Sequence, residues 1–398
     1  VAELGGKFQY YKDNSTPTVG CTTLSDSVLY ISDSSPWQDP DGQYPDIKDI
    51  ISQLPMDHVI VAVGVDEMCM PESLEHSVHF WFYTLGGLKG RRIIKEYTII
   101  LNDNHGYKTV ARLPADPNIF RFHWFMLLYY FLYPKQCAWD GSKPQFLHLP
   151  GKLKKSHRIQ CMWQMDRLGM LPDCMYSYQY SGTGDQTQED WDTDLYKMLQ
   201  QSGNDVSTLS EFTQWSKNMD RILDYKTRWA TMNHGEFTTL PVENKFYSQV
   251  CFELVSETWF NEPQHLTEKT FRPIIAGIPF IHVGMFYADE LTKHNFSNYT
   301  EFTGITEKDY KKYLNVNHNA HSGTINIEAD ERKVIDISLQ AAENFKKFLH
   351  SSENARRQVY RVITRNRRVM QTKCEDIIHH INRKHPINIY DLFSLDFK

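Results

Sequence analysis

The chain reads as an α/β protein made of two halves in which strands and helices alternate. Three observations carry that expectation. Short apolar runs rich in Val and Ile recur along the chain, each followed by a segment with helical spacing or helix signals, which is the pattern of parallel sheets. Between Phe252 and Gly284 a strand-like run, a polar loop, a capped helix and a second apolar strand follow one another. The 398 residues, 41% hydrophobic and 13% aromatic, supply apolar material for about two cores.

The first half, residues 1–140, is expected to hold buried strands at Val28–Ile31, Val59–Val65 and Tyr97–Leu101. A short helix is expected at Ile47–Leu54 and a longer aromatic one at Phe120–Tyr133. The most apolar part of that second helix, Phe122–Tyr133, is too short to cross a bilayer and contains His123, so it reads as a core helix. The second half, residues 141–335, opens with a strand at Gln145–Leu149 and a turn at Pro150-Gly151. A basic loop, Lys152 to Arg158, then leads into a helix ending near Gly169. Ser181–Asp194 is polar and reads as a loop before a helical Leu195–Gln201, and Tyr247–Val255 reads as a strand.

Thr267 is a plausible N-cap for a helix from Glu268 to Ala276 that stops at Gly277, with Pro279–Val283 as the next strand. Pro273 removes one hydrogen bond inside that helix and should kink it. Residues 336–398 read as helical, and the tract from Arg361 to Arg368 reads as a solvated basic face.

Composition excludes several classes. A net charge of −6 and a pI of about 6.3 argue against a general nucleic-acid binder. There is no Gly-rich phosphate loop, zinc-type spacing or dinucleotide fingerprint. The seven cysteines are scattered and odd in number, as reduced core residues are, so a cytoplasmic compartment is expected, and no signal peptide or integral membrane segment is legible.

Two places suit an anion. At the start of the Thr267 helix, free backbone N–H groups converge with the cation of Lys269. At the start of the preceding helix stands Arg158, whose planar fork grips two phosphate oxygens and stays charged at any relevant pH.

The spacing Thr267-Glu268-Lys269, then Gly277-Ile278-Pro279 and Gly284, resembles the nucleotide-sugar signature of the alpha-1,3-fucosyltransferases and their viral and bacterial relatives. In that family a Phe-Glu-Asn-Ser strand end precedes Thr-Glu-Lys. Here either Phe252-Glu253 or Ser256-Glu257-Thr258 takes that place, the first across a longer gap than the family has. The match covers about a third of the chain, Phe146–Arg158 and Tyr247–Gly284, and the remainder only by architecture.

The resemblance implies a GT-B-like fold of two Rossmann-like domains facing a cleft, with C-terminal helices. It implies a glycosyltransferase that moves a sugar from a nucleoside diphosphate, with GDP-fucose the family's donor, to a glycan or glycoconjugate acceptor, inverting the anomeric carbon without a required metal. It places Arg158, Glu257, Thr267, Glu268 and Lys269 around the donor, with Glu268 on ribose or sugar hydroxyls. Glu67, with Asp66 in reserve, becomes the catalytic base after the strand Val59–Val65. For a viral relative the cytoplasm would be the host's.

Two other readings stay open. Asp192-Thr193-Asp194 has the spacing of a metal-binding Asp-x-Asp, although its polar surroundings favour an N-cap at one of the two. The 9 Trp, 22 Tyr and 22 Phe would also suit a non-catalytic carbohydrate-binding or virion protein, since aromatic faces stack on sugar rings.

Overall fold

A computed structural model describes residues 2–4, 7–11, 17–25, 28–33, 56–63, 71–102, 116–122, 126, 137–152, 156–179, 188–201, 203–219, 244–257, 260, 266–284, 287–318 and 325–385. The architecture is mixed α/β with two sheets that contain parallel strands, and the chain divides into two compact units. Unit 1 takes residues 1–132, 232–238 and 371–398, and unit 2 takes 133–231 and 239–370.

Unit 1 is a seven-stranded sheet in chain order: β1 (Ala2–Leu4), β2 (Lys7–Tyr11), β3 (Pro17–Ser25), β4 (Val28–Asp33), β5 (His58–Val63), β6 (Glu96–Asn102) and β7 (Ile119–Phe122). The first four pair antiparallel, and β4 to β7 pair parallel. Helix α1 (Pro71–Gly90) connects β5 to β6 and buries Val78, Trp81, Leu85 and Leu88 on Leu29, Val59, Val61, Ile99 and Leu101. Those five are the alternate residues of three neighbouring strands, so one face of the sheet is continuously apolar.

The expected helix at Phe120–Tyr133 begins instead as a strand. Ile119, Phe120, Arg121 and Phe122 pair with Ile99, Ile100, Leu101 and Asn102 of β6, and completing that ladder outweighs the helical potential of the aromatic run. Met126 is helical, and the other residues of 123–133 lie outside the described set, as do Ile47–Leu54.

Unit 2 carries a four-stranded, fully parallel sheet: β8 (Gln145–Lys152), β9 (Cys174–Gln179), β10 (Val250–Val255) and β11 (Phe280–His282), in the order β11-β10-β8-β9. Helix α2 (Ser156–Arg167) follows β8. Then come α3 (Gln188–Gln201), α4 (Leu209–Met219), α5 (Asn244–Tyr247), α6 (Glu268–Ala276), α7 (Tyr287–Lys293), α8 (Glu307–Lys311), a hairpin of β12 (Leu314–His318) and β13 (Ile325–Ala329), α9 (Glu331–Ser351) and α10 (Glu353–Lys384).

One face of this sheet packs Leu147, Leu149 and Val250 against Ala276 and Ile278. On the other, Phe146 stacks on Phe252, which meets Phe345 of α9 edge-on. Residues 353–370 of α10 belong to unit 2 and residues from Gln371 onward to unit 1.

Three further expectations are corrected. Tyr247 closes α5, and the strand starts at Val250. Pro279 precedes β11, where its carbonyl accepts the Glu253 N–H at 3.0 Å. Helix α3 begins at Gln188, because Glu189 and Asp190, part of the polarity that suggested a loop, sit in its first turn, where the helix dipole favours acids.

Asp192 and Asp194 therefore lie inside α3, not at its cap. The Asp192 carboxylate is buried and accepts the Thr213 hydroxyl at 3.0 Å, whereas Asp194 faces solvent.

Helix α6 matches expectation closely. Thr267 is extended and its hydroxyl accepts the Lys269 N–H. Gly277 is left-handed at φ 78°, and the Gly277 and Ile278 N–H groups close on the Ile274 and Pro273 carbonyls. Gly284, after β11, has φ 130°, and a Cβ there would stand 2.8 Å from the Tyr287 ring, so only glycine fits.

Candidate functional site at the strand ends of unit 2

The order β11-β10-β8-β9 reverses direction between β8 and β10, the first strand of unit 2 and the third. Helices leaving two strands on opposite sides open a crevice at the carboxyl ends there, the usual ligand position in a doubly wound sheet. The register shows the opening. β8 and β10 stop pairing at His148 and Leu254; beyond that point β8 follows β9 through Gly151 and Lys152, and β10 follows β11 through Val255.

Two helix amino ends reach this edge. α2 follows β8 and carries His157 and Arg158 in its first turn, both buried. α6 follows β10 with Thr267, Lys269 and Thr270. Glu257, two residues past β10, ties the two ends together. Its carboxylate is fully buried and accepts the Thr267 N–H at 3.1 Å and the hydroxyls of Thr267 and Thr270. Its carbonyl accepts Nε2–H of His157 at 2.8 Å, and the His157 ring stacks on Phe260 with centroids 5.1 Å apart. The Lys269 ammonium lies 3.4 Å from the Thr267 hydroxyl.

A second carboxylate fixes α6 from below. Glu253 of β10 is buried, accepts the Tyr247 hydroxyl at 2.8 Å and pairs with the Arg272 guanidinium. Burial pushes its carboxyl upward in pKa, and Arg272 opposes that shift. The helix is thus held to β10 at its cap by Glu257 and one turn later by Glu253.

Two histidines complete the edge. His148 is fully buried, and Nδ1–H donates to the Leu254 carbonyl at 2.8 Å, across the point where the strands part. Burial, reinforced by the nearby Arg158 charge, lowers its pKa to about 4, so the ring is neutral and Nε2 keeps a lone pair that no group among the described residues meets. His282 of β11 approaches the Thr270 hydroxyl at 2.8 Å. Since Thr270 gives its one proton to Glu257, His282 donates Nε2–H. Burial lowers its pKa to about 3, and Tyr287 stacks on it at 4.4 Å.

Of the residues expected around a donor, Arg158, Glu257, Thr267 and Lys269 share one sheet edge. Glu268 is the first residue of α6, and its side chain lies outside the described set. Asp66 and Glu67 also lie outside it. Sequence reasoning passed over His148, His157, Thr270 and His282. The available signal was a polar residue within or closing an apolar strand, which holds for His148 and His282; His157 and Thr270 lie in helices and carried no such sign.

Among the described residues no group of three or more His, Cys, Asp and Glu side chains has the arrangement of a metal site, and no helix is long and apolar enough to cross a membrane. The cysteines at 137, 161, 174, 251 and 374 are buried and outside any disulfide, and burial raises the thiols of Cys161 and Cys251, the latter to about 12. No protein-family model, curated protein or solved structure matches the chain.

Proposed function

We propose that unit 2 binds the diphosphate of a nucleotide sugar and that the protein is a glycosyltransferase resembling the alpha-1,3-fucosyltransferases, with a glycan or glycoconjugate acceptor. The observation that carries this reading is the joining of two helix amino ends through Glu257, with Arg158 on one and Lys269 on the other, at the reversal point of a parallel sheet.

In glycosyl transfer the bond between the anomeric carbon and the diphosphate oxygen breaks as an acceptor hydroxyl attacks. The leaving group takes the electron pair, and a carboxylate takes the hydroxyl proton. Arg158, Lys269 and the amino ends of α2 and α6 supply fixed positive charge where the leaving group gathers negative charge, and such preorganised groups need not rearrange during the reaction. These cations stand in for a divalent ion, so turnover needs no added metal in this reading. Glu67, or Asp66 beside it, takes the proton, and Glu268 accepts from ribose or sugar hydroxyls. A guanosine-diphosphate-linked sugar such as GDP-fucose is the donor this reading favours.

Titration calorimetry with GDP, UDP and ADP tests it. Arg158→Ala and Lys269→Ala should each weaken the preferred nucleotide by about 1.5–3 kcal/mol, the range for hydrogen bonds to charged groups. Arg158→Lys should rescue only in part, because an ammonium lacks the planar fork. Unaltered affinity in a folded Arg158/Lys269 double variant, or no nucleotide binding by the parent protein, would remove the assignment.

A further inference from the structure

Helix α10 carries a charge distribution unlike the rest of the chain. From Asn354 to Cys374 it has six arginines and one lysine and no Asp or Glu, in a protein whose net charge is −6. Arg357, Arg361, Arg365 and Arg368 are all exposed. At about 100° per residue their side chains fall within an arc of about 80°, and at about 1.5 Å per residue they run for about 16 Å along the helix.

Among the described residues only Arg357 of these four has an acidic partner, Glu353 at 2.6 Å, and Arg361, Arg365 and Arg368 make no ion pair. The opposite face is packed: Val359, Ile363 and Met370 are buried. Beside the row Tyr360 remains 48% exposed, with one ring face lying along Trp139 at 6.3 Å.

We propose that this face of α10 docks unit 2 on an anionic phospholipid surface. Like charges this close repel one another, and the row lacks the interspersed acids that relieve repulsion on most exposed helices. An external polyanion supplies the missing counter-charge. The arginines project from one side of a convex cylinder, within an arc of about 80° along about 16 Å, so they match a plane of headgroups better than a single phosphate.

A nucleic acid fits less well. A single strand is commonly gripped by a groove with successive aromatic platforms, and among the described residues Tyr360 is the one exposed ring beside the row. Because the apolar face of α10 is already committed to the core, contact is electrostatic, without insertion, and so is reversible and weakened by salt.

Co-sedimentation with vesicles of phosphatidylcholine alone, and of phosphatidylcholine mixed with phosphatidylglycerol, tests this. The full chain should bind the mixed vesicles at low salt, lose most binding near 0.15 M salt, and ignore the neutral ones. Each basic residue near such a surface contributes roughly fivefold to partitioning, so changing all four arginines to Gln should lower it by about two orders of magnitude or more. The four side chains are exposed, and circular dichroism checks that the fold survives. The same loss of charge at Lys308, Lys311, Lys312 and Lys347, exposed elsewhere on unit 2, should cost far less.

Equal binding by the parent and the quadruple variant, or no binding to anionic vesicles at low salt, overturns the proposal. So does an oligonucleotide that binds the row while vesicles do not. None of these outcomes depends on nucleotide binding, so this proposal and the transferase reading can fail separately.

Discussion

Acidification should destabilise unit 2 through His148 and His282, and the size of the effect follows from their burial. In the unfolded chain an imidazole titrates near 6.5. In the folded protein burial lowers His148 to about 4 and His282 to about 3. Both folded values lie below the unfolded one, so the stabilising difference is complete above about pH 6.5 and is lost as pH falls toward the folded values. At about pH 5 each unfolded ring has taken up its proton and each folded ring has not, a cost of about 2 kcal/mol per histidine. His282 keeps part of its surface in solvent, so its share is an upper bound, while His148 has no exposed surface. The pair together removes about 2–4 kcal/mol, a large part of a typical net stability of about 5–15 kcal/mol.

The assay is urea unfolding at a series of pH values for the parent and for His148→Asn with His282→Gln. The Asn amide keeps a donor near Nδ1 for the Leu254 carbonyl, and the Gln amide keeps one near Nε2 for Thr270. The double variant can be less stable throughout, but its stability should fall less steeply from about pH 7 to about pH 5, by up to about 2.7 kcal/mol per pH unit for two protons. Parallel curves would refute the reasoning, since carboxylate titrations are common to both proteins.

Three other outcomes follow from the site. Glu257→Gln replaces one accepting oxygen by a donor beside the Thr267 and Thr270 hydroxyls and should cost about 1–3 kcal/mol in unfolding free energy, with weakened nucleotide binding; a neutral result would dissolve the link between the helix ends. Gly284→Ala meets both a φ of 130° and the Tyr287 ring at 2.8 Å, so thermal unfolding should report a loss of about 1–3 kcal/mol. Glu67→Gln should lower turnover by about a hundred- to ten-thousand-fold with nucleotide affinity intact; if Asp66→Asn alone is inactive the role moves to that residue, and if both are active the base lies elsewhere.

Much of unit 2 was legible because its signals are local. Thr267, Gly277 and Pro279 mark the limits of α6 through cap chemistry that acts within a few residues. Arg158 was found the same way, as a cation opening a helix after a strand. The parts that were missed depend on distant partners. β7 forms because β6 offers an open edge, a fact absent from Ile119-Phe120-Arg121-Phe122 itself. Glu257 serves as a hub only because His157, a hundred residues earlier, meets its carbonyl. Asp192 looked like a cap or a metal ligand until α4 brought Thr213 to it.

The hydrogen bond from the Thr267 N–H to the Glu257 carboxylate also closes a loop, joining two residues 10 apart in the chain. Because the two ends are clamped to each other, the residues between them can change in number without altering where β10 ends or α6 begins. Closing a flexible loop of twice the length costs only about 0.6 kcal/mol more. An insertion between Glu257 and Thr267 is therefore inexpensive and should leave the strand, the cap and the helix in register. The stretch between Glu257 and Thr267 is thus a place where residues can be added without moving the Thr267 cap.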